Sequence, residues 1–381
     1  MGREYDNKGE DVMKILLRKG HHSVYDDLVR FPPSGIQYTI PGSVTQSKSK
    51  KVDHIKKRLF SAYVHYLKKP HEIYVNTGKT DLIHACSGIL IKNKFPWVID
   101  TEHVSSFVGF EAGRLDRIKH KVERMLASDY CKKIMPWSEA GRKSIVNGLD
   151  TRKFKDKIEV VYPAMNLPVV KKKKHDDLNL LFVSVRFFTK GGREILEAYD
   201  KLTKKYDFKL NIISDVPADL RNKYKTDDNI NFYKPNIPRK KLLDDFYSTT
   251  DIFVLPSYMD TFGMVFLEAM SYKMPVITTN AFAIPEILGK SGLFVNIDRF
   301  SWYGRNYLFA WDSWEKFSKY CETGKKPDVV KELIKHTSTL IENKSLRERM
   351  GRMGRKEVES GKFSIKARNS KLKKIYEEAA R

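Results

Sequence analysis

The stretch Leu255-Pro256-Ser257-Tyr258-Met259-Asp260-Thr261-Phe262-Gly263-Met264-Val265-Phe266-Leu267-Glu268-Ala269-Met270 decides how this chain is read. A short apolar run over 252–255 predicts a buried strand, which Pro256 stops. A loop follows, with Gly263 where backbone must pass close to something. A helix is then expected over 264–271, with Phe262, Val265, Phe266 and Ala269 on its apolar side. The first N–H groups of such a helix have no partner within it and point out of the strand edge, where they suit a phosphate oxygen. Asp260 lies just before the helix start, where an acid also acts as a favourable cap. Glu268 lies in the second turn, within the mostly apolar Phe-Leu-Glu-Ala-Met, and a carboxylate in that context needs partners. Sugar and ribose hydroxyls are suitable ones. The two acids stand eight positions apart around the helix start, so both can reach one bound ligand.

Outward from this stretch the pattern repeats. Strands are expected at 180–185, 210–214, 252–255 and 276–279, with helices at 193–204, 240–247 and 264–271 between them. This is the alternation of a doubly wound parallel sheet, whose ligands sit at the carboxyl ends of the strands. The N-terminal half alternates less tidily. Strands are expected at 12–17, 81–85, 97–100 and 133–138, a helix at 118–126, and a second helix from Glu139. A strand-like run at 158–162 ends at Pro163. The charged run Lys171-Lys172-Lys173-Lys174 separates the halves and reads as a solvated linker. The stretch 300–326 carries Trp302, Trp311 and Trp314 without a period, and one more amphipathic helix closes the chain at 363–380. The expected domains are 1–168, 169–362 and the terminal helical segment 363–381.

A second group of residues supports a phosphate-binding edge. Arg186 ends the run Val183-Ser184-Val185-Arg186, and Lys190-Gly191-Gly192 opens the next helix. Two cations beside helix N–H groups suit a diphosphate, which must be held and then stabilised as a leaving group. In the N-terminal half, Asp100-Thr101-Glu102-His103 ends a strand, and Ser138-Glu139 stands at a strand–helix junction where an N-cap equally explains Ser138.

These residues resemble glycosyltransferase family 4. The acid, seven-residue gap, acid pattern of Asp260 and Glu268 matches its signature. So do Pro275-Val276-Ile277-Thr278-Thr279, Ile284-Pro285-Glu286-Ile287 and the Arg186…Lys190-Gly191 element. The resemblance spans roughly 80–380 and is specific after about 178. It implies an α/β GT-B fold, with two Rossmann-like domains facing across a cleft and a C-terminal helix crossing back to the N-terminal domain. It also implies a retaining glycosyltransferase that moves a hexose from a nucleotide-diphosphate sugar, UDP- or GDP-linked, to an acceptor hydroxyl. A leaving-phosphate oxygen would take the acceptor proton. On this resemblance Asp260 and His103 are the catalytic-site residues at the donor sugar. Arg186, Lys190, Gly263 and Met264 hold the diphosphate, while Phe262 and Glu268 serve the sugar and ribose. His84 follows the logic of His103 more weakly. The family usually carries Glu where Asp260 stands and tends to carry Gly where Lys273 stands. Its Gly-rich first loop corresponds to Lys19-Gly20-His21-His22-Ser23, with one glycine.

Composition bounds the rest. The chain has 381 residues, 41% hydrophobic, and a formal net charge of +24. That length and core fraction favour two domains, and the charge points to an anionic partner. Runs such as 50–58 suit a membrane surface, which makes a lipid-linked acceptor attractive beside a glycan or protein one. Cys86, Cys131 and Cys321 are too far apart for a disulfide framework or a zinc site, which fits a reducing compartment. No apolar run approaches the ~18–20 residues of a membrane span. The first residues are too polar for a signal peptide, and Asp6 breaks a myristoylation motif. A cytoplasmic protein, peripheral at a membrane, is expected. No D-x-D pair follows an apolar strand, so no metal is expected, with Arg186 and Lys190 in its place. Two rivals stand beside this reading: a sugar phosphorylase of the same fold, and a non-catalytic nucleic-acid binder, which the charge alone invites.

Overall fold

A computed structural model describes residues 12–20, 22, 24–41, 70–111, 113–166 and 172–381. The chain divides into two units, one of residues 1–164 with 365–381 and the other of residues 165–364. The basic run at 50–58, the first eleven residues, and His21 and Ser23 of the single-glycine loop lie outside the described residues.

Among its described residues unit 1 carries seven strands: β1 Met13–Arg18, β2 Ile36–Thr39, β3 Glu72–Ile73, β4 Leu82–Ala85, β5 Leu90–Ile91, β6 Trp97–Thr101 and β7 Cys131–Pro136. Five of them form a sheet in the order β2-β1-β4-β6-β7 with all pairs parallel, and β3 pairs β5 separately. Every residue of β4 and β6 is buried, because helices cover both faces of a parallel sheet. The helix Ile365–Ala379 belongs to this unit and packs against β6 and β7. Its Tyr376 hydroxyl lies 3.0 Å from that of Tyr38. Its Arg368 donates to the Phe31 carbonyl at 2.7 Å.

Unit 2 carries β8 Asn179–Val183, β9 Lys209–Ile213, β10 Ile230–Tyr233, β11 Ile252–Leu255, β12 Val276–Thr279 and β13 Gly292–Val295. Their order is β10-β9-β8-β11-β12-β13, all parallel. Counted from β8 this is 3-2-1-4-5-6, the doubly wound order whose direction reverses between β8 and β11. The helices Gly192–Leu202 and Met264–Ser271 leave the carboxyl ends of those two strands. The helix Lys344–Glu359 packs on Met264–Ser271 and on the turn that follows it, where a Cβ on Gly351 would clash with the Lys273 carbonyl oxygen.

The GT-B expectation is met in each unit, and three local expectations are corrected. Residues 158–162 form no strand; Ile158 makes only an isolated bridge to Ile134. Residues 240–247 are not one α-helix. A single turn at Arg239–Lys241 runs into a π-type turn, Leu242–Phe246, and a 3₁₀ turn, Tyr247–Thr249. In the charged run, Lys172 and Lys173 are tied to the fold as well as exposed, while Lys174 is exposed as expected. Lys172 donates to the Thr250 carbonyl and Lys173 pairs with Asp245 at 3.4 Å, both within unit 2. Among the described residues no helix is long and apolar enough to cross a membrane. All three cysteines are free and buried, and burial pushes the Cys131 and Cys321 thiols up to about 12.

Candidate active site

The reversal of strand order between β8 and β11 opens a crevice at their carboxyl ends, where each strand's connection turns away from the other. Two loops line it. One runs from Val183 to Gly192 and the other from Pro256 to Met264. They touch at Gly191, whose φ is +76° and whose Cβ, if present, would stand 2.5 Å from the Pro256 carbonyl oxygen. Only glycine meets both conditions.

Across this junction Lys190 binds the opposite loop. Its ammonium lies 2.7 Å from Asp260 Oδ2 and 3.0 Å from Ser257 Oγ, and it also donates to the Met259 carbonyl. The two side chains are 13% and 16% exposed, so the pair stands in a half-dry recess open at the strand edge. Gly263 then turns the chain at φ +79°, with the Phe266 ring 2.5 Å from where its Cβ would be, and Met264 begins the helix. Phe262 is different from its neighbours: its ring is buried and meets Phe363 edge-on at 6.0 Å. What Phe262 and Met264 offer this edge is backbone.

Glu268 points to a second partner set. It pairs with Arg239 at 3.0 Å and accepts from the Tyr247 hydroxyl at 3.3 Å. Burial, and next the Glu268 charge, hold the Tyr247 phenol well above its ordinary pKa, so it stays a donor. Asp260 and Glu268 therefore flank the helix start as expected, each with its own cation. Arg239 and Tyr247 were not anticipated. They come from the connection between β10 and β11, and no local spacing in the sequence ties them to Glu268.

Arg186 lies exposed on the β8 side, with its guanidinium 4.7 Å from the Trp314 ring centre. That contact locates the tryptophan-rich stretch. Trp302 N–H donates to the Tyr258 carbonyl at 2.9 Å, and Trp302, Trp311 and Trp314 each meet the Phe317 ring within 5.6 Å. The stretch is pinned beneath by Lys326, whose ammonium lies 2.9 Å from Glu194 Oε1 with the two side chains 0% and 1% exposed. Burial raises the Glu194 pKa, and Lys326 opposes that.

In unit 1 the corresponding reversal falls between β1 and β4, and a buried network fills it. Asp100 Oδ1 accepts from the Tyr25 hydroxyl at 2.6 Å, the Ser87 N–H at 3.0 Å and Trp137 Nε1 at 3.2 Å. Its Oδ2 lies 3.1 Å from His84 Nε2, and His84 Nδ1 lies 2.7 Å from the Tyr376 hydroxyl. An ionised carboxylate can only accept, so Nε2 donates to Asp100. His84, Cys86 and Asp100 lie within 4.8 Å of one another, but this network already occupies the histidine and the carboxylate. His103 is 1% exposed, and its Nδ1 caps the 3₁₀ turn Val104–Val108 by accepting from Ser105 N–H at 3.1 Å. Ser138 caps the helix Glu139–Gly148 in the same way, accepting from Gly141 N–H at 2.9 Å. Unit 2 thus brings Arg186, Lys190, Asp260, Gly263, Met264 and Glu268 to one strand edge, while His103 belongs to unit 1.

Comparison with known proteins places much of unit 2 within one family model. Residues 166–299 match the family described as Glycosyl transferases group 1, a span that holds all of the unit 2 site residues. An uncharacterized 41.2 kDa protein in the cps region of Klebsiella pneumoniae is 27% identical over 285 residues, covering 66% of this chain and 77% of that protein. The capsular polysaccharide biosynthesis glycosyltransferase CapM of Staphylococcus aureus is 27% identical over 240 residues, 60% of this chain and 52% of CapM. Among solved structures, Anabaena HepE in complex with UDP and glucose aligns over 96% of this chain and 99% of its own at a TM-score of 0.58. Its 11% identity speaks to the fold alone.

Proposed function

We propose that this chain, a glycosyltransferase of GT-B fold, transfers a hexose from a nucleotide-diphosphate sugar held by unit 2 to an acceptor hydroxyl, with retention of configuration. The observation that carries the reading is the Lys190–Asp260 contact across the strand reversal, directly in front of the helix that Gly263 opens. It sets a cation, a carboxylate and a helix N-terminus around one point. A diphosphate there has two cations, Arg186 and Lys190, to offset the charge that grows on the leaving group. Glu268, steadied by Arg239 and Tyr247, is suited to accept from ribose hydroxyls, and Asp260 from hydroxyls of the sugar. In the transfer the bond from the anomeric carbon to the phosphate oxygen breaks. The acceptor oxygen bonds to that carbon on the same face, and its proton goes to the released phosphate. The residues need no divalent cation for this, since the two side-chain cations fill its part. The acceptor is a glycan, in keeping with CapM's role in capsular polysaccharide biosynthesis, and a lipid-linked one suits the charge of +24.

A thermal-shift panel of UDP, GDP, ADP and their sugars, run in EDTA on the wild type and on Glu268→Ala, tests the reading. One nucleotide is expected to raise the melting temperature of the wild type, and the variant is expected to lose most of that rise. Stabilisation by no nucleotide, or only when a divalent metal replaces EDTA, sinks the metal-free donor site.

A further inference from the structure

The opposite edge of the unit 2 sheet carries a second concentration of charge. The chain enters β8 through Lys172, Lys173, Lys174 and His175, and β12 through Lys273 and Pro275. The first turns of the helix Lys344–Glu359 add Lys344, Arg347 and Arg352. These residues line a groove of about 560 Å³, within the range that holds small ligands, about 300–1,000 Å³. Seven lysine and arginine side chains face three carboxylates, Asp176, Asp251 and Glu348, and Asp245 beside the groove pairs with Lys173, so three positive charges remain in surplus with His175 neutral.

The acids do not offset that surplus evenly. Asp251 accepts from the Asn179 N–H at 2.9 Å and stands 3.7 Å from His175. Glu348 lies 3.7 Å from Arg352. Lys174, Lys273 and Lys344 are exposed and make no ion pair among the described residues. The groove is also rigidly framed. Arg347 donates to the carbonyls of Leu340 and Ile341, and Lys273 is held at φ +58° with Gly351 against its carbonyl. Bringing so many like charges together costs free energy unless an anion offsets it. The groove opens at the amino ends of strands whose carboxyl ends carry Arg186 and Lys190, so it is separate from the proposed donor site and does not rest on that reading.

We infer that this groove is a second binding site, for the phosphate groups of an anionic ligand. Lipid phosphate and soluble phosphate share the chemistry that the groove offers, several ammonium and guanidinium donors around one concave surface.

The test compares the wild-type chain with Lys174→Glu/Lys273→Glu/Lys344→Glu. The control, Lys201→Glu/Lys204→Glu/Lys225→Glu, makes the same charge change at exposed sites of unit 2 away from the groove. Each protein is sedimented with phosphatidylcholine vesicles with and without phosphatidylglycerol, and melted with and without inorganic pyrophosphate. Nucleotide stabilisation, followed in parallel, is expected to be alike in all three and reports on the donor site separately. Vesicle binding at least about tenfold weaker in the groove variant than in the control identifies lipid phosphate as the ligand. Equal vesicle binding, with pyrophosphate stabilisation lost only in the groove variant, identifies a soluble phosphate ligand. A groove variant that matches the control in both measurements overturns the site and leaves only a general effect of net charge.

Discussion

Lys190 and Lys326 are both lysines paired with an acid in unit 2, yet their surroundings assign them different work. Lys190 stands at an open edge with three oxygen partners, so its replacement removes a charge from the proposed donor site and little packing. Lys190→Ala is expected to lower kcat by about 10²–10³ with a melting temperature near wild type, as for other lost transition-state donors. Steady-state kinetics beside a melting curve checks this. Lys326 is wholly buried against Glu194. Lys326→Met leaves a carboxylate buried without its cation, at a cost of about 3–5 kcal/mol, while Lys326→Met with Glu194→Met recovers most of that loss. Burial raises the folded-state pKa of Glu194. The single variant's deficit is therefore smallest in acid and grows as pH rises through that raised value. Melting curves from pH 4 to pH 8 would show whether it does. At this scale the sequence was legible where the partners are local. Asp260, Gly263 and Glu268 share one strand–turn–helix, and their spacing gives their grouping. Arg239, Tyr247 and Trp314 reach the same edge from separate connections. Nothing in their own neighbourhoods records that.

Elements were legible in proportion to the apolar run that builds them. The strands β11 and β12 stand where their patterns put them because each is buried along its length, and the helix Met264–Ser271 does so because one side of it is buried. The strands β2, β10 and β13 were missed: each has four residues and one of them fully buried, too short and too lightly buried a run to stand out. The residues 240–247 have helical spacing, but the run gives way to π and 3₁₀ turns before β11. One departure noted in the sequence gains its reason here. Lys273 occupies a left-handed backbone position at φ +58°, where glycine costs least. Lys273→Gly is expected to stabilise unit 2 by about 0.5–1 kcal/mol. Gly351→Ala, whose new methyl meets the Lys273 carbonyl, is expected to destabilise it by about 1–3 kcal/mol. Denaturant midpoints at constant m would measure both, and a neutral Gly351→Ala would deny that Gly351 packs against the Lys273 carbonyl as described.

At the scale of the whole molecule the chain builds part of unit 1, completes unit 2, and returns to finish unit 1. The returning helix Ile365–Ala379 supplies Tyr376 to His84 and Tyr38, and Arg368 and Asn369 to the Phe31 carbonyl. Deleting 365–381 is expected to lower the unfolding temperature of unit 1 while nucleotide stabilisation of unit 2 persists. Two-step melting in place of one, read by hydrogen exchange at β4 and β6, would report it. The division into two α/β halves was legible in the alternation of runs, but the ownership of the last helix was not, since its partners lie some 340 positions upstream. That ownership also sets an order of events during synthesis. Unit 2 is contiguous and can close as soon as it leaves the ribosome. Unit 1 begins first, yet must wait for the chain from 165 to 364 to be translated before its helix arrives, a delay on the order of 10–40 s at ordinary elongation rates. The half made first is the half finished last, and in that interval its exposed apolar face is what a nascent-chain chaperone would meet.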